Sequence, residues 1–278
     1  MECTEIAAIY NICNTIGFCK RIRCKQAEPV GEKMMHLKQS MRFLKRRFSP
    51  RAYLGLHLTA GVLLLIGSAG VFGGLAEMVL HDDPLIRADA IVASWFHTNM
   101  TAGATLAMKY ITELAAFSTL SVLASLLALV LVVLRKWEEL LLLVLTIPGG
   151  RLLGFVLKSA FQRQRPHFGD LELTVHGFSF PSDHTMDATL LYGLLVVFAI
   201  GTFRRWSVRL TSAATGSLLV ILVALSRVAL DAHYLSDVLG AIAASVAWLA
   251  LCFTVVDTFR RRRQNISQGT HRNIVSGD

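Results

Sequence analysis

The chain has 278 residues, of which 54% are hydrophobic and 17% charged, and its mean hydropathy is +0.52. These values exclude an ordinary soluble domain and read as an integral membrane protein. The net charge of +9 is concentrated at the ends, with eleven Lys/Arg before residue 52 and five after residue 259. Such a basic rim suits cytoplasmic ends held near anionic headgroups, and without aromatic-basic interleaving it does not suit nucleic acid.

In chain order, residues 1–52 read as a basic cytoplasmic segment. They carry Cys3, Cys13, Cys19 and Cys24 without a C-x-x-C spacing, so free thiols are expected there and at Cys252. The first 19 residues lack the early basic region of a signal peptide. Tyr53 to Leu80 is long and apolar enough to span, since about 20 residues cross the hydrocarbon core. Its glycines suit close helix packing. The next segment starts with a helix signal, Asp82 or Asp83 before Pro84, and is too polar to span. It reads as an amphipathic helix in the membrane interface, anchored by Trp95 and Phe96.

Thr105 to Leu134 is the second predicted span. Leu140 to Val156 is the third, bent by Pro148-Gly149-Gly150. Residues 161–184 form a polar loop. Thr185 to Thr202, Leu210 to Leu225 and Val238 to Val256 complete the set, and 258–278 is a basic cytoplasmic tail. The expected fold is therefore all-α: a polytopic membrane protein with six transmembrane helices within residues 53–257. The basic termini and the turns at 135–136 and 204–209 all fall on one side, which the positive-inside rule makes cytoplasmic. The 161–184 loop and the stretch 226–237 then meet on the opposite face.

That opposite face should be poor in cations, yet Lys158, Arg163, Arg165 and Arg227 lie there. Arg151, Lys158 and Arg165 are spaced by sevens, about two helical turns each, and share a face. A charge near the middle of a span costs at least roughly 2.5–3.5 kcal/mol, so such residues are functional or paired. For Arg151 both readings stand, with Glu113 or Asp187 as the neutralising acid. Lys158, Arg165 and Arg227 converge from separate segments and describe a pocket for a multiply charged anion, with phosphate the natural guest.

Phe180-Pro181-Ser182-Asp183-His184 precedes the fourth span. Ser182 and the first backbone N–H groups of that helix make an anion cradle. His184 beside it reads either as a neutral anion-site histidine or as a general acid facing a leaving oxygen. In the 226–237 stretch, His233 and Asp237 are four apart, which on one helix places them on one face. They read either as a helix-end cap or as an imidazole oriented by a carboxylate, as a nucleophilic histidine needs.

In order, Lys158…Arg165-Pro166 (K-x6-R-P), Pro181-Ser182-Asp183-His184 and Ser226-Arg227…His233…Asp237 (S-R-x5-H-x3-D) resemble the three motifs of the type 2 phosphatidic acid phosphatase superfamily. That superfamily also contains vanadium haloperoxidases and acid phosphatases. The resemblance implies its helical core and a metal-free, cofactor-free mechanism. His233 resembles the nucleophile that forms a phosphohistidine, Asp237 its orienting carboxylate, and His184 the acid and then base. Lys158, Arg165, Ser182 and Arg227 resemble the phosphate ligands. Four loop-side histidines (His167, His176, His184, His233) lack tight zinc-ligand spacing. Asp183 departs from the more usual glycine. Its carboxylate must turn away from phosphate or pair with a cation such as Arg163 or Arg165. P-S-D-H is similar to bacterial undecaprenyl-diphosphate phosphatases.

The expected activity is hydrolysis of a lipid phosphate or diphosphate at the outer face of a bacterial inner membrane. Undecaprenyl diphosphate is the first substrate, with phosphatidylglycerophosphate or phosphatidic acid next. The alternatives are a lipid phosphotransferase, or a binding or transport protein without turnover.

Overall fold

The computed structural model of the chain describes residues 56–81, 84–166 and 177–275. The chain divides into Met1–Arg46 and Arg47–Asp278. The first unit lies outside the described residues, and with it nearly all of the expected N-terminal segment and its four cysteines. His167 and His176 also lie outside them.

The described residues form eight helices: α1 (Leu56–Leu80), α2 (Pro84–Asn99), α3 (Ala102–Glu113), α4 (Phe117–Val133), α5 (Trp137–Phe161), α6 (Asp183–Thr202), α7 (Trp206–Ala229) and α8 (Leu235–Val275). Six helical segments are long and apolar enough to cross a membrane, α3 and α4 together supplying one of them. The expected all-α, six-span fold is the one observed. Large apolar side chains such as Leu63, Leu126, Val133 and Phe155 are exposed on the outer helices, as lipid-facing positions require. The interior belongs to α6 and α8, whose apolar windows are 44% and 50% buried, against 0% for α1.

Two elements differ from the sequence reading. The second span is broken at residues 114–116, where three successive N–H groups bond three residues back instead of four. Tyr192 Oη on α6 donates to the Leu114 carbonyl at 2.8 Å, which satisfies a group left over by the break. No glycine or proline marks the place. Helix α5 carries Pro148, the centre of its expected bend, within one continuous helix. The glycines beside it serve packing: a Cβ on Gly149 would meet Trp248 of α8 at 2.7 Å, and one on Gly150 would meet Leu190 of α6. Finally, α8 continues to Val275, through the expected boundary at 257.

Helix α2, with 16 residues, is not among the helices long and apolar enough to cross a membrane. Its two aromatics part company. Trp95 is exposed, whereas Phe96 turns inward with Val92 onto Ala224, Val228 and Val238 of α7 and α8. This docks α2 over the helix ends that carry the charged motifs.

Candidate active site

The run Ser226–Asp237 is a helix reversal. Helix α7 ends at Ala229, Asp231 takes a left-handed φ of 55°, and α8 starts at Leu235. Arg227 O accepts the N–H groups of both Ala232 and His233, at 3.1 and 3.3 Å. His233 and Asp237 therefore do not share one helical face. His233 sits in the turn, and Asp237 sits in the first turn of α8. Asp237 Oδ2 accepts the Tyr234 N–H at 2.8 Å, the returning half of a capping box, where a negative charge also meets the helix N-terminus.

That carboxylate is fully occupied. Its Oδ2 faces His233 Nδ1 at 3.5 Å and accepts the Ser179 hydroxyl, and its Oδ1 accepts Arg163 Nη1 at 2.6 Å. The other imidazole nitrogen, His233 Nε2, faces Arg165 Nη1 at 3.2 Å. A guanidinium only donates, so Nε2 is the acceptor and the ring proton belongs on Nδ1, toward Asp237. Burial holds the His233 pKa down to about 4, against the opposing pull of Asp237. The imidazole is thus neutral near pH 7, with a lone pair on the nitrogen that faces the cations.

The cations come from three segments. Arg165 is fixed by the carbonyls of Ala232 at 2.8 Å, Gly177 at 3.1 Å and Phe178 at 3.3 Å. Burial lowers its pKa, and Asp183 and Asp237 only partly offset this. Arg227 is buried; its Nη1 donates to Thr112 Oγ1 at 3.1 Å, and its Nε is buried with no partner. Lys158, at the end of α5, donates to Asp183 Oδ2 at 2.5 Å. His184 stands in the first turn of α6, near Arg227, Lys158 and Asp183 and beside the neutral His233. A buried, unsatisfied guanidinium donor among convergent cations is the signature of an anion site.

Asp183 pairs with Lys158, because Arg163 and Arg165 are already engaged elsewhere. Ser182 is at the expected helix N-terminus, but its Oγ is fully buried and accepts from Thr185 Oγ1 at 3.1 Å, while its N–H donates to the Asp237 carbonyl at 3.3 Å. Arg151 lies two turns from Lys158 and pairs with Asp187 at 3.5 Å, the second of its two expected acids.

Sequence reasoning missed an inner layer. Asp89 of α2 is 1% exposed and takes Arg163 Nη2 at 2.9 Å, the Ser236 N–H at 2.9 Å and the Ser236 hydroxyl. Arg163 also lies over the Tyr234 ring at 4.4 Å. Burial would lower the Arg163 pKa, but Asp237 and Asp89 hold it above the usual arginine value. The one signal for Asp89 was an acid in a segment that otherwise reads as interfacial. Among the described residues no group of three or more His, Cys, Asp or Glu is placed to hold a metal ion.

Residues 139–261 match the sequence signature of the PAP2 superfamily. The chain is 30% identical over 188 residues to phosphatidylglycerophosphatase B of Bacillus subtilis strain 168, covering 66% of this chain and 87% of that one. The crystal structure of a transmembrane PAP2-type phosphatidylglycerolphosphate phosphatase from Bacillus subtilis superimposes with a TM-score of 0.63 and 28% identity, over 71% of this chain and 96% of that one. A crystal structure of Aquifex aeolicus LpxE aligns with a TM-score of 0.47 and 19% identity, over 59% of this chain and 93% of that one. All three motifs gathered at one end of the helices, the matched signature and the extended relationship to the Bacillus protein make one conclusion: the chain belongs to the PAP2 superfamily.

Proposed function

We propose that this chain hydrolyses the terminal phosphate of a lipid through a phosphohistidine on His233, with phosphatidylglycerophosphate as its substrate. The observation that carries the chemistry is the polarity of His233. Its Nδ1 faces Asp237, and its Nε2 faces Arg165 beside the unsatisfied Nε of Arg227. The Nε2 lone pair attacks phosphorus, and the phosphorus–oxygen bond to the lipid breaks. His184 delivers a proton to the departing oxygen. His184 then takes a proton from water, whose oxygen displaces Nε2 and releases inorganic phosphate. Arg165, Arg227 and Lys158 stabilise the charge on the phosphoryl oxygens. Asp237 keeps the imidazole proton on Nδ1 and stabilises the positive ring of the intermediate.

The substrate choice rests on the Bacillus relative, which is named for phosphatidylglycerophosphate. That name moves undecaprenyl diphosphate from first place to a comparison substrate. In the bilayer the basic ends of the chain face the cytoplasm, so the site opens to the outer face.

The test is phosphate release by the purified full chain from phosphatidylglycerophosphate, phosphatidic acid and undecaprenyl diphosphate, with EDTA present and His233→Ala in parallel. Release that survives EDTA, is fastest for phosphatidylglycerophosphate and vanishes in the variant is the expected result. Turnover retained by His233→Ala rules out the phosphohistidine. Binding without release from any lipid restores the non-hydrolytic alternative.

A further inference from the structure

Two cavities meet at one ion pair. The first, about 240 Å³, runs from Lys158 and Asp183 past Gly154 and Gly150 to Arg151 and Asp187. The second, about 300 Å³, starts at the same Arg151 and Asp187 and continues between Leu120, Ala124 and Ile147. Lys158, one of the expected phosphate ligands, thus lines a cavity that ends at the polar step of Arg151 and Asp187, and on the other side of that step lies an apolar groove between α4 and α5. This is the polarity order of a phospholipid headgroup joined to its acyl chains.

The ion pair at the step is loose. Arg151 Nη2 and Asp187 Oδ2 are 3.5 Å apart, beyond ordinary hydrogen-bond length, and the Arg151 side chain is 40% exposed against 11% for Asp187. The guanidinium also lies over the Phe117 ring, 4.1 Å from its centroid. Neutralising a buried charge does not require such exposure. A guanidinium has five donors, and one loosely held carboxylate leaves most of them for a ligand.

Arg151 and Lys158 lie on one face of α5, seven residues or about 10 Å apart along the axis. A ligand with one phosphate at Lys158 and a second anionic group at Arg151 must carry the two with a short spacer between them. Phosphatidylglycerophosphate does: its terminal phosphate is linked through glycerol to a phosphodiester, and the acyl chains follow. Phosphatidic acid has no second phosphate. A prenyl diphosphate carries its second phosphate directly on the first, too close to reach Arg151.

We propose that Arg151 and Asp187 form a second headgroup subsite, in which Arg151 binds the phosphodiester of phosphatidylglycerophosphate and Asp187 accepts the hydroxyl of the bridging glycerol. The subsite rests on the phosphatase reading above and makes Arg151 a specificity-determining residue. It selects among lipid phosphates by what lies behind the scissile phosphate.

The experiment measures kcat/KM on phosphatidylglycerophosphate and on phosphatidic acid in mixed micelles, for the wild type, Arg151→Gln and Arg151→Lys. The readout is the ratio of the two constants, which does not depend on how much of a variant is folded. Loss of one charge-assisted contact lowers the ratio in Arg151→Gln by about tenfold or more, and Arg151→Lys recovers most of it. A ratio unchanged in Arg151→Gln, including equal loss on both lipids, overturns the subsite alone. A wild type that releases phosphate from neither lipid overturns the phosphatase reading, and the subsite with it.

Discussion

Asp89 and Asp237 share a single guanidinium: Arg163 donates to Asp89 Oδ2 at 2.9 Å and to Asp237 Oδ1 at 2.6 Å. Asp89 also holds Ser236, the neighbour of Asp237, through its backbone N–H. The carboxylate that orients His233 is therefore itself oriented from α2. Asp89→Asn removes one charge-assisted contact of Arg163, a loss of about 1.5–3 kcal/mol at the upper end. We expect kcat to fall about tenfold with little change in KM, because Asp89 does not touch the phosphate. Steady-state kinetics of Asp89→Asn would show this split; a change in KM alone would place Asp89 in substrate binding instead.

Asp183 offsets the charge of Lys158 through a 2.5 Å ion pair. Removing the carboxylate frees the ammonium and deletes a negative charge next to an anion pocket. Asp183→Asn is expected to bind orthovanadate, a mimic of transferring phosphate, about tenfold more tightly than the wild type. Inhibition curves for the two proteins decide it. Weaker inhibition in Asp183→Asn would mean that Asp183 positions Lys158 for phosphate.

The motif residues were legible in the sequence because charge is so costly in an apolar chain that each departure stands out. Lys158, Arg165, Arg227, His184, His233 and Asp237 all come to one end of the helices. The second layer was not legible. Asp89 looks like any acid of an amphipathic helix until α2 docks through Val92 and Phe96 and buries it. The break at residues 114–116 left no signal either, since it is stabilised by Tyr192, 78 positions away from Leu114. The i, i+4 spacing of His233 and Asp237 suggested a helical face, yet the pair meets across a turn. Spacing alone does not tell a helix from the capping geometry at its start.

Burial of His233 also ties stability to pH. Its pKa is lowered to about 4 in the folded chain, against the usual histidine value near 6.5 when unfolded. Between these values the unfolded chain binds the proton and the folded chain does not. Stability is therefore fully present above pH 6.5, falls as pH drops, and levels off below pH 4, a contribution on the order of 3 kcal/mol. In His233→Gln this term is missing. Thermal unfolding in detergent from pH 7 to pH 4 should show the Tm of the wild type dropping faster than that of the variant. Parallel curves would mean that folding does not lower the His233 pKa.

Gly240 holds the P-S-D-H segment in register with α8. A Cβ there would sit 2.6 Å from Phe180 Cε2 and 2.8 Å from Cζ. Phe180 is fully buried, stacked on Phe72 at 5.7 Å and edge-on to Phe161 at 5.1 Å, so its ring has little room to move. The strain in Gly240→Ala passes instead to the neighbours of Phe180. These include Ser179, which donates to Asp237, and Ser182, whose N–H bonds the Asp237 carbonyl. Overpacking of this kind destabilises by about 1–3 kcal/mol. Gly240→Ala should lower both Tm and the rate of phosphate release. Gly67→Ala on α1, where a Cβ would meet nothing within 4 Å, should change neither. If Gly240→Ala lost stability but kept full activity, Phe180 would be a packing residue with no hold on the site.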